Sequence, residues 1–189
     1  VRSLVVSGTD VYAAGYSCTY DNLYTNAVYW KNGASTKLPS GNQSYISSLV
    51  IIGTDVYAGG GSGGRAVYWI NGSMTVIEQW EYHGCYVNSL VVSGTDVYAG
   101  GYIQDKGNVI VAGGYWKNVT RTDLTKTGYV KSIIYTGVDL YAAGNTGTKG
   151  GYWKNDNWVS IEHSNDAFIN SIAVDGSDVY VAGCLQVEL

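Results

Sequence analysis

The hydrophobic residues of this chain fall into short runs that turn residues separate. The first run, 3–15, reads SLVVSGTDVYAAG, with two apolar segments on either side of a Gly-Thr-Asp turn. Short segments rich in Val, Leu and Tyr around a tight turn are typical of a β-hairpin. No stretch shows the sustained 3.6-residue period of an amphipathic helix. The pattern therefore predicts an all-β protein.

This hairpin pattern occurs five times, at intervals of 39 to 45 residues. Its turn aspartates are Asp10, Asp55, Asp96, Asp139 and Asp178. A second pattern, Tyr-Trp followed by Lys-Asn or Ile-Asn, lies between successive copies. It begins at Tyr29, Tyr68, Tyr115 and Tyr152. An Asn-Gly turn ends its first two copies, and Asn-Gly is a strong hairpin signal. Each repeat therefore reads as four strands, which we name A to D.

Four short antiparallel strands per repeat of about 40 residues are typical of β-propeller blades. We predict a single β-propeller domain over 1–189, with four complete blades and an incomplete fifth. The predicted repeats are 1–47, 48–88, 89–131, 132–170 and the partial repeat 171–189. Because the last repeat lacks strands C and D, two arrangements remain open: a five-bladed ring with a thin last blade, or a fragment of a larger propeller. An open edge on the last blade would favour oligomerisation by pairing with another chain.

The repeated residues resemble a known family. Asp-Val-Tyr-Ala-Gly-Gly at 55–60 and Tyr-Trp-Lys-Asn-Gly at 29–33 are similar to the DVYVAG and YWKNG cores of bacterial repeat propellers. The Gly-Gly pair with a later Trp is distantly similar to kelch blades. The resemblance covers essentially the whole chain and implies a propeller of repeated blades. It implies no particular activity.

Charge and composition narrow the classes of partner. The chain has 11 Lys and Arg against 15 Asp and Glu, and its basic residues form no cluster. Nucleic-acid binding requires a basic face, so no nucleic-acid partner is expected. No apolar run approaches the ~18 residues of a membrane helix, so no membrane insertion is expected. The low charge and the many Tyr, Asn, Ser, Thr and Gly residues, together with the resemblance, favour a secreted or cell-surface location.

No group of residues points to catalysis, a cofactor or a metal. Gly59, Gly61 and Gly64 match G-x-G-x-x-G, but a predicted strand follows where dinucleotide binding requires a helix. The histidines, His83 and His163, and the three cysteines match no metal-binding spacing. We therefore expect no catalytic residue, no cofactor and no metal. Because propellers do host enzymes, the fold class alone does not decide whether the chain is one.

The variable B–C and D–A loops form the predicted binding face. In an up-and-down blade these loops lie on one face, and the tight A–B and C–D turns lie on the other. Aromatic residues that do not repeat are the candidate ligand contacts: Tyr16, Tyr20, Tyr24, Trp80, Tyr82 and Tyr102, with Tyr86 and Tyr129 grouped beside them. Tyr among Ser, Asn and Gly recognises ligands at low entropy cost. We therefore predict a non-catalytic module that binds carbohydrate, with a protein-interaction scaffold or a fragment of a larger surface protein as alternatives.

Overall fold

The computed structural model of the chain consists of β-strands joined by turns and short loops. It describes residues 1–19, 24–79, 84–125, 127–165 and 167–185, with the backbone alone for 162–165. In this described part, all of the regular secondary structure is β-strand. The strands are β1 Ser3–Ser7, β2 Asp10–Cys18, β3 Thr25–Lys31, β4 Ala34–Lys37, β5 Ser44–Ile52, β6 Asp55–Ser62, β7 Arg65–Ile70, β8 Ser73–Glu78, β9 Gly84–Ser93, β10 Asp96–Gln104, β11 Ile110–Lys117, β12 Thr120–Thr125, β13 Tyr129–Tyr135, β14 Leu140–Thr146, β15 Lys149–Lys154, β16 Asn157–Asn165, β17 Ala167–Asp175 and β18 Asp178–Leu185.

These strands form four-stranded sheets and one hairpin. The sheet orders are β1-β2-β3-β4, β5-β6-β7-β8, β9-β10-β11-β12 and β13-β14-β15-β16, and β17 pairs with β18. The pairings are antiparallel, so neighbours along the chain are joined by short turns or loops. The predictions of an all-β chain and of four-stranded antiparallel sheets are confirmed.

The chain divides into two compact units, Val1–Leu90 and Val91–Leu189. The core of the first unit joins β2 to β5, β6 and β7, with Tyr12, Ile46, Leu49 and Trp69 among its buried side chains. The Trp69 indole N–H donates to the Pro39 carbonyl oxygen at 2.8 Å, which satisfies its polar group inside the core. The Trp of the Tyr-Trp pattern is thus a packing residue in this sheet.

The second unit repeats this construction with different residues. Tyr98 packs with Ile133 and Leu140 in one buried cluster. Tyr141 packs with Ile169 and Ile172 in another. In both clusters the tyrosine of a B strand meets the A strand of the following sheet. Successive sheets within this unit therefore bury their apolar faces against one another.

A repeated β-bulge explains the glycine near the end of three B strands, β6, β14 and β18. The register of β5 against β6 skips Ser47, and the registers of β13 and β17 skip the equivalent residue. At the bulge a carbonyl of strand A turns toward strand B. A Cβ on Gly60 would lie 2.0 Å from the Tyr45 carbonyl oxygen, and one on Gly144 would lie 1.9 Å from that of Tyr129. The Ala-Gly end of strand B is therefore a crowded position.

The A strands of the later sheets begin earlier than the sequence indicated. β5, β9, β13 and β17 all start several residues before the repeated serine that follows the bulge. Tyr86 and Tyr129 consequently lie in strands, where they align with Tyr45 and Phe168 at the same repeat position. Our interpretation of Tyr86 and Tyr129 as non-repeating loop residues was wrong. The extra residue of the bulge interrupts the period-2 alternation and hides the start of the strand.

Candidate binding groove

The turn end of each complete sheet is held by a repeated Asp–Asn pair. In the first sheet, Asn32 Nδ2 donates to Asp10 Oδ1 at 2.8 Å, and the Val11 N–H donates to Asn32 Oδ1 at 2.8 Å. The equivalent side-chain pairs are Asn71–Asp55, Asn118–Asp96 and Asn155–Asp139, at 2.9, 3.1 and 2.6 Å. The four asparagines have φ of 46° to 57°, a region that Asn tolerates better than most residues. These bonds fix the A–B turn against the C–D turn.

Three of these pairs also include a lysine. The ammonium nitrogens of Lys31, Lys117 and Lys154 lie 2.8, 2.8 and 2.9 Å from the turn aspartates of their own sheets. The hydrogen bond from Lys117, then that from Asn118, lowers the pKa of Asp96. Such exposed ion pairs contribute little stability individually. Their consequence is positional, because each lysine is held beside the aromatic ring of strand B.

In the second unit this turn end borders a groove of about 650 Å³. The groove lies between β10–β12 on one side and β13–β14 with the Asn155 turn on the other. Its lining residues are Tyr98, Tyr115, Lys117, Asn118, Val119, Thr120, Thr122, Tyr135, Val138, Leu140 and Asn155. The volume falls in the range of small-ligand sites, about 300 to 1,000 Å³.

Three tyrosines give the groove its aromatic character. The rings of Tyr98 and Tyr135 stack with centroids 5.2 Å apart and planes 17° apart. Burial raises the pKa of Tyr115, a hydrogen bond with Thr122 acts in the opposite direction, and the nearby Asp156 carboxylate raises it further. The Tyr115 hydroxyl is therefore neutral at physiological pH. It can serve as a hydrogen-bonding group beside the stacked pair.

Four lining residues depart from the repeat at their positions, and at one of them, Leu140, the change is only from Val to Leu. Tyr135 stands where the other repeats have Val or Ile, and Val138 stands where they have Thr or Ser. Val119 follows the turn asparagine, where the other sheets have Gly or Asp. Val138 is 83% exposed, and Val119 is also exposed. A column-by-column comparison of the repeats would have found these residues, whereas the choice of non-repeating aromatic residues in variable loops did not.

Three of the predicted site residues, Tyr16, Tyr24 and Tyr102, belong to the described part of the chain, and they lie outside the groove. Tyr16 and Tyr102 were expected in loops, but β2 and β10 extend through them because they pair with Ala27 and Gly113. Tyr24 is exposed and directly precedes β3. Tyr20, Trp80 and Tyr82 lie outside the described residues. None of the three described candidates lines the groove.

Two of these candidates belong to small aromatic–cation clusters. The Arg2 guanidinium lies 5.3 Å from the centroid of the Tyr16 ring and 4.7 Å from that of Tyr45. In the second unit, the Tyr102 and Tyr129 ring centroids lie 6.3 Å apart, with the Lys131 ammonium near both rings. The structure thus places Tyr16 and Tyr102 beside cations and other rings, and their role as ligand contacts stays a prediction.

Within the described residues, no three His, Cys, Asp or Glu side chains come close enough together to hold a metal ion. No helix in this part of the chain has the length and apolar character needed to cross a membrane.

Comparison with known proteins gives a likeness of fold. No family model and no curated protein matches the chain. Among solved structures, it is similar to a crystal structure of the extracellular domain of a hybrid two component system from B. thetaiotaomicron, with 19% identity and a TM-score of 0.54. The match covers 96% of this chain and 26% of that one. At this identity the likeness concerns the fold alone, and the chain spans about a quarter of the length of that structure.

Proposed function

We propose that the chain is a non-catalytic binding module that takes a carbohydrate in the groove of its second unit. The observation that carries this proposal is the position of the residues that depart from the repeat. Tyr135 and Val138 come from the β13–β14 hairpin, Val119 comes from the β11–β12 turn, and all three line the same groove. Residues that only maintain the repeated fold have no reason to change together around one cavity.

The chemistry of the groove supports a carbohydrate ligand. Tyrosine rings offer flat apolar faces that stack on the C–H faces of sugar rings, and their hydroxyls also form hydrogen bonds. Asn118 and Asn155 each use one N–H and one oxygen lone pair in the turn pairs, so each keeps one donor and one acceptor, and Thr120 adds a hydroxyl to the lining. The one lysine there, Lys117, is already paired with Asp96 at 2.8 Å. A neutral polyhydroxylated ligand suits this lining better than a charged one.

The exposed valines support a second candidate, a protein partner. Val119 and Val138 flank the groove and expose apolar surface to solvent. A protein segment with an apolar anchor could bury both side chains, since such anchors carry much of the energy of protein interfaces. Protein binding is therefore the alternative outcome of the experiment below.

We further propose that the sheets are blades of a β-propeller and that the module acts at the cell surface or outside the cell. Packing within each unit supports the first point. In the first unit, the Leu49 N–H donates to Ser3 Oγ at 3.1 Å, and the Leu90 N–H donates to Ser48 Oγ at 3.0 Å. The same bond thus joins two successive pairs of repeats. The composition and the extracellular origin of the similar structure support the second point.

A glycan array followed by titration tests the carbohydrate proposal. The chain is expected to bind a restricted set of oligosaccharides, with free sugar competing. Tyr135→Ile restores the repeat residue and removes one ring of the stacked pair. We expect this variant to bind about fivefold more weakly, because an aromatic contact contributes about 1 kcal/mol.

Tyr24→Ala is the matched control, because Tyr24 is an exposed tyrosine in the originally predicted loop face. Its affinity should equal that of the wild type. Circular dichroism would show that both variants keep their β-structure. An array without selective binding would contradict the carbohydrate proposal and shift the assignment to a protein partner.

A further inference from the structure

The first and last sheets expose apolar positions that the intervening sheets bury. Leu4 in β1 is 66% exposed, whereas Leu49 at the same repeat position is 4% exposed. Tyr180 in β18 is 58% exposed, whereas Tyr141 at its repeat position is 4% exposed. The exposed residues are the same residue types that the repeat uses in its core. The first and last sheets therefore each expose a face of the kind that is buried between successive repeats.

The buried versions show how that interface is made. Leu49 of β5 packs in one cluster with Tyr12 and Ala14 of β2. A Cβ on Gly59 would lie 3.0 Å from the side chains of Leu90 and Val87, so a small residue of strand B receives the leucine of the following A strand. Each interface thus joins two unlike faces. The following sheet contributes its leading face, with a Leu or Ile of strand A, and the preceding sheet contributes its trailing face, with a Tyr and a small residue of strand B.

Each exposed end carries one of these halves. The leading face of the chain consists of Leu4, Val6, Val11 and Ala13 in β1 and β2. The trailing face consists of Ser171, Ala173, Tyr180 and Ala182 in β17 and β18. Ala173 and Ala182 are exposed, whereas Ala14 and Ala143, at the position of Ala182, are completely buried. The two faces therefore complement each other by the same rule that joins adjacent repeats.

We propose that the chain associates head to tail, with the leading face of one copy docked on the trailing face of a second copy. A second copy is the partner because the trailing face carries Tyr180 and Ala182 at the repeat positions of Tyr12 and Ala14, the β2 residues that pack with Leu49. In this arrangement Ser171 Oγ would accept the Leu4 N–H of the other copy, as Ser3 Oγ accepts the Leu49 N–H. Contacts between unlike faces are heterologous, so they generate closed rings or open chains of subunits.

Sedimentation velocity of the full chain across a wide concentration range tests this proposal. The wild type should form species that grow with concentration. Leu4→Asp places a charge in the leading face, and Tyr180→Asp places one in the trailing face. Each variant alone should remain monomeric, because a charge buried without a partner weakens association by more than about tenfold.

The equimolar mixture of the two variants is the decisive sample. Leu4→Asp keeps an intact trailing face, and Tyr180→Asp keeps an intact leading face. The mixture should therefore form a dimer and nothing larger, since both remaining faces carry a charge. Val109→Asp, at an exposed loop valine outside both faces, is the control and should associate like the wild type.

Three results would overturn the proposal. A wild type that stays monomeric throughout would show that the faces do not bind a second copy. Self-association of either Asp variant would show that like faces pair, and a mixture that stays monomeric would exclude pairing of unlike faces. Circular dichroism would show whether each variant is folded. If one of the two Asp variants does not fold, the other still tests the face that carries its own substitution. The assay uses no ligand, so its outcome is independent of the carbohydrate proposal.

Discussion

Gly60→Ala tests whether the repeated bulge dictates the glycine at the end of strand B. Gly60 lies in β6 opposite Ile46, where the register skips Ser47. The substitution adds one methyl group and, elsewhere in a strand, would change little. Here the new Cβ would meet the Tyr45 carbonyl oxygen at 2.0 Å and the Ile46 Cα at 3.0 Å. Both contacts are to backbone, which cannot rotate away as a side chain does.

The size of the effect follows from these distances. Ordinary contacts of a Cβ lie between 3.4 and 4 Å, so β5 and β6 must separate by more than an ångström at the bulge. Overpacking in a well-packed interior costs about 1 to 3 kcal/mol. Because the clash involves the paired backbone itself, we expect a loss at the upper end, about 3 kcal/mol.

Urea unfolding followed by tryptophan fluorescence measures this loss. Gly41→Ala is the matched control in the same unit, because its Cβ would meet only Ser62 Oγ and Arg65 at 3.6 and 3.7 Å. The control should unfold within about 0.5 kcal/mol of the wild type. If Gly60→Ala is as stable as Gly41→Ala, the bulge does not require the glycine and our account of the repeat is wrong.

Two further predictions concern the turn pairs. Asn71→Ala removes the acceptor of the Val56 N–H and the donor to the turn aspartate, so it should lower the free energy of unfolding by about 1 to 2 kcal/mol in urea melts. Asn71→Gly, which tolerates the positive φ, should lose less, and equal losses would contradict a role for backbone conformation. The pKa values of Asp10, Asp96 and Asp139 are lowered in the folded chain, first by their lysine partners. Their contribution is present above the unfolded pKa of about 3.9 and is lost as pH falls through the lower folded values. The melting temperature of the wild type should therefore fall on acidification. A variant with Asn at positions 10, 96 and 139 should lose less stability over the same pH range, and an equal loss would contradict the role of these carboxylates.

The sequence predicted the all-β class and the four-stranded sheets because these depend on local signals. Strands of four to ten residues recur along the chain with Gly or Asn in the turns between them, and each hairpin forms from residues close in the chain. The role of the turn asparagine was only half visible. Asn32 was recognised as a turn residue, but its bond to Asp10 joins residues 22 positions apart and is visible only once strands B and C are paired.

The groove was not predicted because it depends on packing between sheets. Tyr98 and Tyr135 stack across 37 residues of sequence, since one belongs to β10 and the other to β13. The assignment of Tyr16 and Tyr102 to variable loops gave the wrong position for both, because antiparallel pairing continues past the expected strand ends. In this chain, the residues that depart from their repeat positions mark the groove, whereas the assignment of variable loops did not.

Mapping a bound oligosaccharide by NMR tests whether the groove of the second unit is the binding site. An oligosaccharide selected on the array would be titrated into isotope-labelled protein while the backbone amide shifts are followed. The expected result is saturable shifts at Thr120, Val138 and Asn155, which line the groove, with little change at Tyr24 and Tyr102. Shifts at Tyr24 and Tyr102 with an unchanged groove would contradict it and return the site to the loop face.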